Sequence, residues 1–213
     1  SREEGITILL VEHNIAEIID QVDYVLALDR NGTPTASGAR EEVIRQGWRV
    51  QAEEQIKRRG KDLSSEEEVL RIEGLEFAYP IPGKRKKDKE NGKQIIKGLN
   101  LSVRKQEFLA IVGENGVGKT TLMRLIFRIN TQDAGTIRLF GRPVESYRKK
   151  ELYNLIGLVL QNPEKQFIKN TVYEELMFSL KRVRKSAEEK EKRGKEMMEK
   201  VKIEEEKDKR TGE

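Results

Sequence analysis

The residues GENGVGKTT at positions 113–121 constrain the fold of this chain more than any other stretch. They match the pattern G-x-x-x-x-G-K-[ST], with Gly113, Gly118, Lys119 and Thr120 at the fixed positions. The apolar run FLAIV precedes the motif and TLMRLIF follows it, as expected where a buried strand turns into a helix. The sequence therefore predicts an α/β fold that carries a phosphate-binding loop.

The residue types of this motif suit the binding of a nucleotide. Glycines let successive backbone N–H groups point at phosphate oxygens, and the positive N-terminal end of the following helix adds to them. Lys119 is expected to reach the β- and γ-phosphates, and the Thr120 hydroxyl is expected to ligate Mg²⁺. The remaining predicted contacts of the loop are Glu114, Asn115, Gly116, Val117 and Thr121.

Composition excludes several other kinds of site. The chain has no cysteine, so it has neither a disulfide framework nor a thiolate metal site. Its net charge of +5 is a small excess of 42 basic over 37 acidic residues, and we expect no nucleic-acid partner. The apolar stretches ITILLV and FLAIV are far shorter than the roughly 18 residues of a membrane helix. Any membrane association is therefore expected to go through a partner protein.

The chain divides into three segments of different pattern. Residues 1–47 predict a strand, a helix, a strand and a short helix, an α/β piece too short to be a domain. Residues 48–68 are polar and charged, which indicates a linker. Residues 69–213 begin with two antiparallel strands joined by the basic loop 81–93, continue through the phosphate loop, and end in helices of mixed charge.

Two further motifs narrow the class of nucleotide-binding protein. FAYP, with Tyr79, ends 39 residues before Lys119, and LVLQNPEKQF, with Gln161, begins 39 residues after it. With these motifs the chain resembles the ATP-binding-cassette (ABC) ATPases. The resemblance implies a P-loop NTPase fold, with a RecA-like core and an antiparallel β subdomain, incomplete at both ends. It also implies ATP and Mg²⁺ as cofactors, with Tyr79 stacking on adenine and Gln161 supplying an oxygen to Mg²⁺.

The only histidine lies far before the phosphate loop. In the ABC ATPases a switch histidine follows a strand near the end of each cassette, and such an ending resembles ITILLVEHNIAEIIDQVDYVLALDRNGTPTASGAREEVI. The resemblance implies that residues 1–47 end a first cassette, that residues 69–213 begin a second one, and that His13 is the catalytic switch histidine of the first. His13 is then expected to serve a different nucleotide from the one held by Lys119.

The stretch QNPEKQF followed by TVYEELMFSL is most similar to the ATPases of energy-coupling-factor transporters. This similarity implies the ATP-hydrolysing subunit of a membrane importer, peripheral at the cytoplasmic face of the cell membrane. The implied partners are transmembrane transporter subunits, a substrate-binding membrane component and a second ABC cassette. The sequence holds no LSGGQ-like signature and no Walker B strand, so the chain alone is not expected to turn over ATP.

Two alternatives stay open from the sequence. The first is a soluble tandem ABC ATPase that acts on ribosomes, for which a longer basic linker is expected. The second is a P-loop kinase or another nucleotide-binding enzyme that has no cassette partner.

Overall fold

The structure is a computed structural model that describes residues 6–12, 19–29, 32–45, 67–80, 93–157, 167–181 and 185–211. His13 and Gln161, for which roles are predicted, lie outside these ranges. Nearly all residues of the predicted linker and of the basic loop also lie outside them. The chain divides into two compact units, Ser1–Leu155 and Ile156–Glu213.

The described part of the larger unit contains the strands β1 (Ile8–Glu12), β2 (Tyr24–Leu28), β3 (Pro34–Ala39), β4 (Glu68–Ala78), β5 (Gln94–Arg104), β6 (Phe108–Gly113), β7 (Ala134–Leu139) and β8 (Arg142–Pro143). Its helices are α1 (Arg40–Arg45), α2 (Lys119–Ile126) and α3 (Lys149–Leu155), with a 3₁₀ turn at Val144–Ser146. The smaller unit contains α4 (Val172–Leu180), α5 (Ala187–Val201) and a 3₁₀ turn at Glu204–Glu206.

The strand that leads into the phosphate loop lies inside a sheet of order β1-β6-β2-β3, which we call the loop sheet. β1 and β2 both run parallel to β6, with Ile8 paired to Phe108 and Tyr24 paired to Leu109. β3 folds back antiparallel on β2. The apolar sequence of β6 fits this position, because its residues 109–112 are fully buried and a parallel strand in mid-sheet is covered on both faces.

The described residues between 6 and 45, which we call the N-terminal segment, share a core with β6. This core is an apolar cluster of buried side chains: Ile19, Val22, Val25, Ala27, Ala36, Val43, Ala110 and Val112. Hydrogen bonds reinforce the contact, because the Asp23 N–H donates to the Phe108 carbonyl at 2.8 Å and the Phe108 N–H donates to Asp23 Oδ2 at 2.9 Å. The Gln106 N–H likewise donates to the Thr7 hydroxyl at 2.9 Å.

The N-terminal segment pairs with β6, although the two-cassette interpretation assigns these two parts of the chain to different cassettes. That interpretation places residues 1–47 and the phosphate loop in different cassettes, yet strands of both lie in one sheet. A physical reason is that both edges of β6 expose backbone N–H and C=O groups, which must find partners once the strand is buried. The assignment of the two segments to two cassettes stays a prediction.

The second sheet of the larger unit has the order β5-β4-β7-β8 and is antiparallel throughout. β4 and β5 are the two strands that partial alternation of apolar and polar residues predicts, and each buries part of its residues while leaving others exposed. The expected α/β class and its antiparallel β subdomain are therefore confirmed.

The smaller unit is helical, as its sequence predicts. The Thr171 hydroxyl caps α4 by accepting from the Glu174 N–H at 3.2 Å. Ser186 and Glu189 form a reciprocal capping box at the start of α5, with bonds of 3.1 and 2.9 Å. Gly194 lets α5 approach α4, since a Cβ there would lie 3.2 Å from Met177 Sδ. Among the residues the structure describes, none forms a helix long and apolar enough to span a bilayer.

Candidate functional site

The phosphate loop joins the end of β6 to the start of α2, and its backbone requires glycine. Gly118 precedes α2 with a φ of 110°, and a Cβ on it would lie 2.8 Å from Ile95 Cγ2. A Cβ on Gly113 would lie 2.7 Å from the Leu28 carbonyl oxygen. Because larger residues are strained at such φ values and would also meet these atoms, glycine alone lets the loop pack this closely.

The loop lies at the edge where the parallel strands β1, β6 and β2 all end. Glu12, the last residue of β1, pairs with Val112, and Leu28, the last residue of β2, pairs with Gly113. In α/β sheets, ligands bind beyond the carboxyl ends of the parallel strands. The N-terminal segment therefore supplies both strand neighbours of the loop.

A turn after β2 also packs on the loop. Within this turn the Thr33 N–H donates to Asp29 Oδ1 at 2.9 Å, and Gly32 has a φ of 73°. A Cβ on Gly32 would lie 1.9 Å from the Ile95 carbonyl oxygen and 2.9 Å from the Val117 carbonyl oxygen. The backbone of this turn is thus in direct contact with the backbone of the phosphate loop.

The Lys119 side chain lies folded back on the loop. It is 6% exposed, and its Nζ donates to the Gly113 carbonyl at 2.6 Å and to the Glu114 carbonyl at 2.9 Å. Burial lowers the pKa of Lys119, while the negative charge of Glu12 acts in the opposite direction. The ammonium is therefore positioned at the loop by carbonyl oxygens, where it can meet an incoming anion.

Tyr79 lies beside the first turn of α2. Its hydroxyl is 3.2 Å from Thr121 Oγ1, and its ring packs edge-to-face on Phe77, with centroids 5.0 Å apart. Burial alone would raise the pKa of Tyr79, but polar contacts with Thr121, Arg124 and Asn130 and the charge of Arg124 outweigh it, so the pKa is lowered. With 36% of its surface exposed, the ring keeps a face that a planar ligand could cover.

The structure brings most of the predicted site residues together in the larger unit. Thr120 is exposed in the first turn of α2, and the stretch 114–116 of the loop is exposed as well. Val117, within the loop, is buried. His13 and Gln161 lie outside the described residues, so their roles stay predictions.

Sequence reasoning missed the residues that support the loop from the N-terminal segment. Glu12 and Gly32 both lie at the loop edge, and neither was singled out. A signal for Glu12 was present, because a carboxylate ends the otherwise apolar run ILLV. Asp133 was also missed, although its Oδ2 accepts from the Ala78 N–H at 2.7 Å and so fixes the backbone next to Tyr79.

Residues 96–213 match the model of the family described as ABC transporter. YkoD of Bacillus subtilis, provisionally named an HMP/thiamine import ATP-binding protein, is 30% identical over 206 residues, which cover 84% of this chain and 37% of YkoD. EcfA1 of Geobacillus kaustophilus, an energy-coupling factor transporter ATP-binding protein, is 35% identical over 114 residues, which cover 54% of this chain and 38% of EcfA1. The chain thus spans less than two fifths of the length of these relatives.

A solved structure is similar to the fold as well. It is that of cbiO1 from Clostridium perfringens, described as part of the ABC transporter complex cbiONQ. The two share 30% sequence identity with a TM-score of 0.56, over 68% of this chain and 55% of the cbiO1 chain.

Proposed function

The chain belongs to the ABC transporter family, and from this premise we propose that it is part of the ATP-binding subunit of an importer of the energy-coupling-factor class. The names of EcfA1 and of the cbiO1 complex support this class of transporter. In the intact protein, ATP binding and hydrolysis would be coupled to substrate uptake. The proposed partners are transmembrane subunits, a substrate-binding membrane component and a second cassette, at the cytoplasmic face of the membrane.

The similarity to YkoD supports the tandem arrangement. The alignment extends over 84% of this chain, which is more than the phosphate-loop half alone. On this proposal residues 1–47 end a first cassette, with His13 as its switch histidine, and residues 69–213 begin a second cassette. Gln161 would contact Mg²⁺ in that second cassette.

The observation that carries the proposal is the geometry of the loop around Gly118 and Lys119. Glycines hold the backbone where a Cβ would not fit, and the buried ammonium of Lys119 lies against the loop carbonyls. This is a cradle for an anion at a helix N-terminus. The residues fit Mg-ATP, because Lys119 offers a cation to the phosphates and the exposed Thr120 offers a hydroxyl to the metal.

Each part of the site has a distinct task under this proposal. Lys119 and the first turn of α2 neutralise phosphate charge, and Tyr79 covers the base with its exposed ring face. When bound, ATP supplies the phosphoanhydride bond whose hydrolysis drives transport. The Gly32 turn packs closely on the loop backbone, which limits the room that the loop has to move.

The test is the affinity for Mg-ATP of the Lys119→Ala variant. Removing a buried ammonium from the loop removes charge-assisted bonds to phosphate, so we expect the affinity to fall by roughly 10- to 100-fold. Isothermal titration calorimetry of the full chain measures this change. Lys97→Ala is the matched control, because it removes the same charge from an exposed position on β5 and should bind like the wild type. Equal affinities for the two variants would contradict the proposed site.

If Tyr79 stacks on the base, removal of its ring should lower the affinity only for ligands that contain a base. Tyr79→Ala should weaken Mg-ATP binding by about 5- to 100-fold, which corresponds to about 1 to 3 kcal/mol of stacking. Tyr79→Phe keeps the ring and loses only the polar contacts of its hydroxyl with Thr121, Arg124 and Asn130, so it should bind within about threefold of the wild type. Inorganic tripolyphosphate, which has no base, should compete equally well in all three proteins. If Tyr79→Ala weakens tripolyphosphate as much as ATP, the tyrosine supports the loop and does not stack on the base.

A further inference from the structure

The end of β4 is tied to the start of β7 by a side chain as well as by the strand ladder. The ladder between these two strands runs as far as the pair Glu76–Ala134. Past that pair, the Ala78 N–H donates to Asp133 Oδ2 at 2.7 Å, and the Asp133 N–H donates to the Glu76 carbonyl at 2.9 Å. Asp133 therefore continues the pairing to Ala78, the last residue of β4, and Tyr79 follows directly.

The peptide that Asp133 holds lies between two packed rings. The Ala78 N–H belongs to the peptide that joins Phe77 to Ala78, and the Tyr79 ring packs edge-to-face on the Phe77 ring with centroids 5.0 Å apart. Phe77 is buried, and the tip of the Tyr79 ring lies 3.2 Å from Thr121 Oγ1 in the first turn of α2. Asp133 thus holds the backbone at the base of a ring whose edge and tip already have partners.

The end of a strand needs such a tie if it carries a ligand contact. Strand ends open more readily than strand centres, because fewer bonds hold them. When only a fraction of the molecules holds a contact residue in the binding orientation, the apparent affinity falls by that fraction. A ring that is already oriented avoids this loss, since little has to be ordered when the ligand binds.

We propose that Asp133 is a positioning residue for the base of the nucleotide. By accepting from the Ala78 N–H it holds the Tyr79 ring in the orientation that stacks on the base, without touching the ligand itself. This inference rests on the proposed function, since it takes Tyr79 and the Lys119 loop as the nucleotide site. It assigns a task in base binding to a residue that lies outside every motif of the sequence.

The test measures the affinities of the full chain for Mg-ATP and for inorganic tripolyphosphate by isothermal titration calorimetry. Asp133→Ala removes the acceptor, and we expect it to weaken Mg-ATP binding by roughly three- to tenfold because fewer molecules hold the ring in place. Its affinity for tripolyphosphate, which has no base, should be unchanged. Asp133→Asn keeps an oxygen acceptor on a side chain of the same length, so it should bind Mg-ATP like the wild type.

Asn100→Ala is the matched control for a general loosening of β4. Asn100 Oδ1 accepts from the Gly74 N–H at 2.8 Å, an exposed bond of the same kind in the middle of this strand. This variant should keep both affinities. The double variant Tyr79→Ala/Asp133→Ala should bind Mg-ATP as Tyr79→Ala alone does, because a positioning residue acts only through the ring that it positions. Asp133 is exposed, so its variants are expected to fold, and far-UV circular dichroism checks this.

The inference is overturned if Asp133→Ala binds Mg-ATP like the wild type, weakens both ligands equally, or adds to the loss in Tyr79→Ala. It is also overturned if Asp133→Asn binds as weakly as Asp133→Ala, since the charge and not the hydrogen bond would then matter. Lys119→Ala separates the two proposals: if it leaves both affinities unchanged, the proposed function fails. If Lys119→Ala weakens both and Tyr79→Ala weakens only Mg-ATP, while Asp133→Ala matches the wild type, only this inference fails.

Discussion

Gly32→Ala is expected to destabilise the larger unit by more than about 3 kcal/mol. The φ of 73° at this position costs a non-glycine residue about 1 to 2 kcal/mol. The added Cβ would also lie 1.9 Å from the Ile95 carbonyl oxygen and 2.9 Å from that of Val117. Both are backbone atoms in packed elements, so relief requires the turn to move away from the phosphate loop. Urea denaturation followed by far-UV circular dichroism measures the loss.

Gly141→Ala is the matched control for this substitution. Gly141 has nearly the same φ, 74°, but nothing lies within 4 Å of a Cβ built on it. Its alanine variant should lose only the conformational cost, about 1 to 2 kcal/mol. The difference between the two variants in the free energy of unfolding measures the effect of the close contact of the Gly32 turn with β5 and the loop. Equal losses would mean that the turn does not pack there.

Ile111→Ala is expected to lower the free energy of unfolding by about 2 to 5 kcal/mol. Ile111 is 0% exposed in the middle of β6, between the paired strands β1 and β2. Truncation removes apolar contacts and leaves a cavity that the flanking strands cannot fill without breaking their ladders. The same denaturation experiment applies, and the urea midpoint should shift without a change in slope.

Ile129→Ala removes the same atoms from a position that is 58% exposed just after α2. We expect this variant to lie within about 0.5 kcal/mol of the wild type. If Ile111→Ala were no more costly than this control, β6 would not be the centre of the packed sheet. The burial of both its edges by the N-terminal segment would then be wrong.

The elements around the phosphate loop could be predicted because their signals are local. β6 is an apolar run that ends in the glycine motif, and α2 begins at its lysine, as the sequence indicates. The P-loop NTPase fold and the ABC family follow from this motif and its neighbours, and the similarity to cbiO1 and the family match confirm them. The caps at Thr171 and Ser186 are equally local, which is why the C-terminal helices were also predictable.

The pairing of the N-terminal segment with β6 could not be predicted, because no local sequence pattern specifies which strand pairs with a given strand edge. Hydrogen bonds along a ladder are made by backbone groups, and the partner is chosen by packing across the whole unit. The strand β3 was also not predictable from its own sequence. Its sequence PTASGA has small and polar residues that favour a turn, and it becomes a strand because β2 offers it an edge.

The candidate site was predictable in part for the same reason. Lys119 and Tyr79 were found through motifs, whereas the contact between Tyr79 and Thr121 depends on how β4 packs beside α2. Glu12 lies at the loop edge because the register between β1 and β6 pairs it with Val112. A residue whose role comes from register has no local pattern by which sequence reasoning could find it.

The arrangement of the loop sheet also determines when this unit can assemble during synthesis. Thr7 and Asp23 bond to residues that are 99 and 85 positions further along the chain. At about 5 to 20 residues per second, the ribosome needs roughly 4 to 20 seconds to make that intervening stretch. During this interval the apolar strands β1 and β2 have been synthesised but lack their partner β6. Until β6 is made, the apolar side chains of β1 and β2 lack the strand that pairs with them in the loop sheet, and this favours aggregation of the segment.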